Sequence, residues 1–272
     1  MAKKQVIATF AAVKGGVGKT TLTYNFGEYI AARGLPVLFL DLDAQCNLTH
    51  RYGFFKDCPT VADILLDNQV DPASLIQNVK PKISIIPGSM SLDTVETQLA
   101  TNTSKYTRLM RWLVQNKNIT DQYSFILIDT HPGFTTATKN AALISDYVLC
   151  PITPSADSYS SKFDLDYRLG ELRKEASDPM TGKSYVDARL RFVGNMIKPN
   201  TNSSRTLLAQ LEQDPNTIAI VPDREIFNKT GLLKQSLVDL AQDRTVYLKY
   251  QAFFDQINKT FNDLAADMWN LK

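Results

Sequence analysis

Short apolar runs alternate with stretches of helical spacing along most of the chain. Residues 5–13 (QVIATFAAV), 36–41 (PVLFLD) and 123–129 (YSFILID) are near-continuous apolar runs and predict buried strands. Shorter runs at 83–86, 147–152, 190–196 and 217–221 predict four more. Between them the spacing predicts helices. Over 20–32, Leu22, Phe26, Tyr29 and Ile30 recur at helical spacing, and Arg33-Gly34 supplies a stop. Residues 60–66, 72–77, 105–115, 135–144, 158–176 and 203–211 continue the pattern. A final helix over 247–271 carries Phe254, Ile257, Phe261, Leu264 and Met268 on one side. Strands that are apolar throughout must be covered on both faces. The pattern therefore predicts one α/β domain over residues 1–272, a doubly wound, mostly parallel sheet with helices on both faces. Residues 177–183 and 199–204 read as loops, not domain linkers. No internal repeat interrupts the pattern. In such folds ligands bind beyond the carboxyl ends of the strands, and the polar motifs fall there.

Directly after the first strand comes Lys14-Gly15-Gly16-Val17-Gly18-Lys19-Thr20-Thr21, and then a helix. Glycines let backbone N–H groups turn inward around phosphate oxygens. The helix N-terminus adds its partial positive charge. Lys19 can reach the β- and γ-phosphates, and the Thr20 hydroxyl can ligate Mg²⁺. The strict GxxxxGK[ST] pattern fails at its first position, which is Val13, and the loop carries an extra lysine, Lys14. Asp129 ends a buried run, where a carboxylate can bind a metal-coordinated water or simply cap the strand end. Asp41 and Asp43 follow another, and strand alternation puts both on one side of the chain. Asn195 has the donor and the acceptor that an adenine edge needs, although a turn residue after a strand would look the same.

These blocks resemble the ParA/MinD class of P-loop ATPases, and the resemblance spans nearly the whole chain. KGGVGKTT is similar to its deviant Walker A box. Residues 40–49 (LDLDAQCNLT) resemble its second acidic box, DxDPQxNxT, and residues 126–132 (ILIDTHP) its Walker B box, IIIDTPP. Val193-Gly194-Asn195-Met196 and Val221-Pro222 resemble its nucleotide-base elements. Ala44 and His131 each replace a proline of the family pattern, which puts loop rigidity in question. The resemblance implies ATP and Mg²⁺ as cofactors, with Thr20, Asp41 and Asp129 ordering the metal shell. Asp43 would orient the attacking water. Lys14 would reach the partner's phosphates across an ATP-dependent homodimer, a cation supplied in trans. Histidine is the residue type suited to carrying protons near neutral pH, but at His131 no partner is evident, so it is expected to be a bystander.

Charge and composition narrow the client. The net charge is only +2, so bulk positive charge is not the protein's tool, though a local basic patch remains open. Residues 189–249 hold nine bases, among them Arg205, Arg224 and Lys229, against six acids. In the family, equivalents of these three lie where DNA is contacted, so non-specific DNA binding is expected. The last helix is slightly acidic over 250–272, with Asp255, Asp263 and Asp267 against Lys259 and Lys272. A membrane-surface helix should be basic on its polar face, so no membrane partner is expected. The three cysteines are scattered and contain no CxxC, which disfavours a disulfide framework or a metal cluster and fits a reducing cytoplasm. They are expected to be small buried hydrophobes. No apolar run approaches a membrane span, and the first is too short for a signal peptide. The chain opens on its first strand, so a DNA-reading domain ahead of it is not expected. Together these features imply a short ParA-type ATPase for plasmid or chromosome partition, cytoplasmic and nucleoid-associated. A ParB-type centromere-binding protein would stimulate its slow hydrolysis. The alternative is a MinD-like ATPase that positions a protein cargo or acts at a membrane.

Overall fold

Eight strands form one sheet in this computed structural model, which describes residues 5–270 apart from Phe54, Lys56 and Pro199. Pro199 of an expected loop and Leu271 of the expected last helix lie outside the described residues. The strands are β1 (Val6–Phe10), β2 (Val37–Leu42), β3 (Gln77–Lys80), β4 (Ile83–Ile86), β5 (Phe125–Thr130), β6 (Tyr147–Ile152), β7 (Arg189–Ile197) and β8 (Thr217–Pro222). Their order across the sheet is β3-β4-β2-β5-β1-β6-β7-β8, and every pairing but the edge pair β3–β4 is parallel. From β1 the chain builds outward on one side and later returns to build β6–β8 on the other, a switch of direction that opens a crevice beside β1.

The helices before β5 are α1 (Lys19–Ala32), α2 (Asn47–Tyr52), α3 (Val61–Leu66), α4 (Leu92–Leu99), α5 (Arg108–Gln115) and α6 (Lys117–Thr120). After it come α7 (Thr136–Ile144), α8 (Ala156–Glu175), α9 (Asn202–Glu212), α10 (Glu225–Leu233), α11 (Leu237–Ala241), α12 (Arg244–Lys249) and α13 (Gln251–Asn270). Strand alternation divides the core between the two faces. Phe39, Phe125 and Leu127 join Phe26 of α1 and Phe261 of α13 on one face. Leu38, Leu40, Ile126 and Ile128 meet α3, α4, α5 and α7 on the other. Val148, Cys150 and Ile152 of β6 pack with Leu165 and Leu169 of α8 and Leu211 of α9. Each such fully buried side chain contributes about 1.5–3 kcal/mol of transfer free energy, which makes the sheet a rigid base for the loops at its carboxyl end.

Three sequence expectations change. The first strand stops at Phe10, because residues 11–17 leave the sheet to form the loop before α1. The helix expected over 72–77 is a 3-10 turn, Pro72–Leu75, running into β3. The single helix expected over 247–271 is two, separated at Tyr250. Its apolar side does pack into the core, against β8 and α1. No helix is long and apolar enough to cross a membrane, among the described residues. Cys46 and Cys150 are buried and free, as expected, whereas Cys58 is partly exposed.

Candidate nucleotide site

The register of the central strands assembles the site. Phe10 of β1 pairs with Asp129 of β5, and Asp129 pairs with Asp41 of β2. The last residue of β1 and the two acids therefore stand level across three adjacent strands, below the loop 11–18. That loop turns at Gly16 (φ +74°) and Gly18 (φ +87°), both in the left-handed region. At Gly18 a Cβ would also collide with the Asn195 amide, so glycine is required there twice over. Gly18 is the N-cap of α1. It offers no side-chain cap, and no acid stands in the first turn. The helix thus presents its first-turn N–H groups and its positive end to the crevice with no anion of its own.

Lys19 is buried among the acids. Burial lowers its pKa, and Asp129 and then Asp43 pull it back up. Asp129 is fully buried, and both its carboxylate oxygens lack a hydrogen-bond partner. Burial, reinforced by Asp41, raises its pKa to about 8; the nearby Thr20 hydroxyl and Lys19 lower it only in part. A buried carboxylate without a well-formed hydrogen bond, with only the Thr20 hydroxyl close by, is costly unless a cation or a bound water meets it. Asp129, Thr20 and Lys19 therefore fit a phosphate-bound Mg²⁺, an ion held by one or two carboxylates together with substrate oxygens. Asp41 is differently placed. Its Oδ2 accepts from the Thr49 amide (2.8 Å) and hydroxyl (2.7 Å), and its Oδ1 from the Asp43 amide (3.2 Å). Burial raises its pKa to about 6 against those bonds. It ties the loop after β2 together, and its oxygens are already engaged.

Asp43 Oδ1 accepts from the Gln45 amide at 2.9 Å and lies 3.0 Å from His131 Nδ1. His131, expected to have no partner, is thus joined to Asp43. Their separation of 88 positions hid the pairing from sequence spacing. Lys14 extends to Asp157 Oδ2 (3.1 Å), near the start of α8, within a solvent-exposed pair.

The AAA domain family matches residues 4–175. The chain belongs to that family. With its relatives and its fold it falls among the P-loop ATPases of the ParA/MinD class. It is 35% identical over 143 residues to the sporulation initiation inhibitor protein Soj of Bacillus subtilis, a match covering 51% of this chain and 54% of Soj. To the chromosome partitioning protein ParA of Caulobacter vibrioides it is 30% identical over 148 residues, covering 54% and 55%. The matched stretch is thus about half the length of these two relatives. A Borrelia burgdorferi protein described as a plasmid partition protein, solved with AMPPNP bound, superposes with a TM-score of 0.70 at 26% identity, over 83% of this chain and 90% of that one.

Within this P-loop ATPase the later motifs fall around the same crevice. Asn195 donates Nδ2 to the Val17 carbonyl (2.8 Å) and is buried, so in this structure it braces the phosphate loop, where the sequence suggested an adenine edge. It stands at a break in the β7–β8 register, which turns its side chain toward the loop. Pro222 is buried at the end of β8, paired with Ile197. Gly15 packs against Pro132, 3.5 Å from where its Cβ would stand, so the Walker A-like and Walker B-like loops touch. Val17 is buried, and Thr21 lies half-buried beside Arg51, which donates to its hydroxyl at 3.3 Å. Arg205 on α9 and Arg224 before α10 are exposed. Lys229 is paired with Glu225 one helical turn earlier (3.6 Å).

Proposed function

We propose that the chain is a ParA-type partition ATPase: a slow ATPase that closes as a sandwich dimer on ATP–Mg²⁺ and then binds DNA without sequence preference at the nucleoid. A centromere-binding partner of the ParB type would trigger hydrolysis and release. The observation that carries the reading is the unpartnered Asp129 carboxylate, buried with Lys19 beneath an uncapped helix N-terminus. The partition names of the relatives support the choice of client.

Phosphoryl transfer to water asks for positioning and charge neutralisation. In this reading the amides of residues 15–20 and the Lys19 ammonium hold the β- and γ-phosphates. Mg²⁺, when bound, offsets the phosphate charge. Thr20 and Asp129 hold its shell, while Asp41 keeps the adjoining loop in place. Asp43 orients the attacking water, and Lys14 from the partner protomer meets the charge that develops on the transferred group. Lys14 must first leave Asp157. That contact is an exposed pair worth about 0–1 kcal/mol, so it is no obstacle to closure.

The test is molecular mass in solution by light scattering. With ATP and Mg²⁺ the protein is expected to shift from monomer to dimer, to remain monomeric with ADP, and to lose the shift in Lys14→Ala while still binding ATP. A mass that ignores the nucleotide contradicts the reading.

A further inference from the structure

The geometry points to His131 as a positioning residue for ATP hydrolysis, holding the Asp43 carboxylate in the orientation from which it directs water. This rests on the role given to Asp43 above.

Asp43 sits in the loop after β2, and that loop alone positions it poorly. Its Oδ1 accepts from Gln45 two residues on, the local turn that aspartates make with their own backbone. Such a bond fixes the carboxylate relative to its own loop and to nothing else. The His131 contact is different in kind. It joins Asp43 to the residue that follows β5, two positions after Asp129. The backbone reinforces the join, as the His131 amide donates to the Leu42 carbonyl at 3.4 Å. The water-directing acid and the metal-facing acid are thereby held in one frame across two strands. A carboxylate is an acceptor only, so the hydrogen must be on Nδ1. The Asp43 side chain is 7% exposed and that of His131 42%, so the bond is shielded on the acid's side, where its direction matters.

Proline, found here in the related motif, has no N–H and no side-chain donor. Its ring could stiffen the loop but could not hold Oδ1. Donation and stiffness are therefore separable by substitution. His131→Asn places an amide donor near the position of Nδ1. His131→Pro restores stiffness without a side-chain donor, and it also removes the amide bond to the Leu42 carbonyl. His131→Ala supplies neither.

The experiment is steady-state ATP hydrolysis by the full chain and these variants, with Asp43→Ala as reference, binding of a fluorescent ATP analogue, and thermal melting to establish folding. His131→Ala is expected to lower kcat about tenfold, less than the roughly hundredfold that a 1 Å misplacement can cost, with KM and analogue affinity within about twofold. His131→Asn should recover kcat to within about threefold of wild type, and His131→Pro should stay near His131→Ala. The inference is overturned if His131→Ala leaves kcat unchanged, if affinity falls and kcat does not, or if His131→Pro matches or exceeds His131→Asn. Should His131→Ala fail to fold, His131→Leu, which keeps the backbone amide and the bulk but has no donor, takes its place against His131→Asn. A wild-type chain without turnover, or an Asp43→Ala variant as fast as wild type, overturns the ATPase reading itself and this inference with it.

Discussion

Burial raises the Asp129 pKa from 3.8 to about 8, so near neutral pH the folded, ligand-free chain favours a proton there that the unfolded chain lacks. Between those values the native state binds more protons than the unfolded one, so the carboxyl's contribution to stability falls as pH rises through that window. Asparagine has no charge to bury. Ligand-free Asp129→Asn should therefore melt above wild type by a few degrees at pH 8, with the gap closing toward pH 5, as differential scanning fluorimetry would record. A gap that widens toward acid would contradict it. Asp41 contributes with the same sign up to about pH 6 and is common to both proteins. At this scale the sequence was informative wherever chemistry follows from contiguous residues. The run from Lys14 to Thr21 reads as a phosphate loop because the strand, the glycines and the helix are adjacent. Two pairings were not legible. The Asn195–Val17 and His131–Asp43 contacts join residues that only the sheet order brings together, and a lone His or Asn carries no sign of its partner.

The apolar runs of β1, β2 and β5 were plain because central strands are buried on both faces. The edge strand β3 (QNVK) is short and half-exposed, which leaves no period to read. The division of the last helix into α12 and α13 was hidden for the opposite reason: no glycine or proline marks Tyr250, and both flanks are amphipathic. The packing of α13 was nonetheless correctly anticipated. Phe261 is 2% exposed and stands edge-on to Phe26 and Tyr29 of α1, with ring centroids 5.6 and 5.4 Å away. Because α1 begins at the phosphate loop, this contact also steadies the site. Phe261→Ala should cost about 3–5 kcal/mol in urea unfolding, the range for a large aromatic removed from a packed core. A loss below about 1 kcal/mol would mean that the helix only rests on the sheet, the behaviour of a surface-seeking helix.

At the scale of the whole molecule, a net charge of +2 gives little general attraction for nucleic acid, so any DNA binding must be local and gated. Strands β7 and β8 form one edge of the sheet, and α9 and α10 follow them in the chain, so both helices start beyond the same carboxyl ends as the phosphate loop. Arg205 and Arg224 thus lie at the rim that a nucleotide-gated dimer would double. Each phosphate contact in B-DNA contributes about 0.9 to the slope of log affinity against log salt. With ATP, binding to duplex DNA should fall steeply with salt, be equal for scrambled sequences, and nearly vanish with ADP. Arg224→Ala should reduce the slope by about two, one contact from each protomer. Lys229→Ala should do less, because Glu225 already partners that ammonium. Fluorescence anisotropy across a salt series measures all of this. If Arg224→Ala left the slope unchanged, Arg224 would belong to an ordinary solvated surface; if ADP supported binding as well as ATP, the binding would not be gated by nucleotide; and if no DNA bound with ATP, the client would be a protein cargo or a membrane.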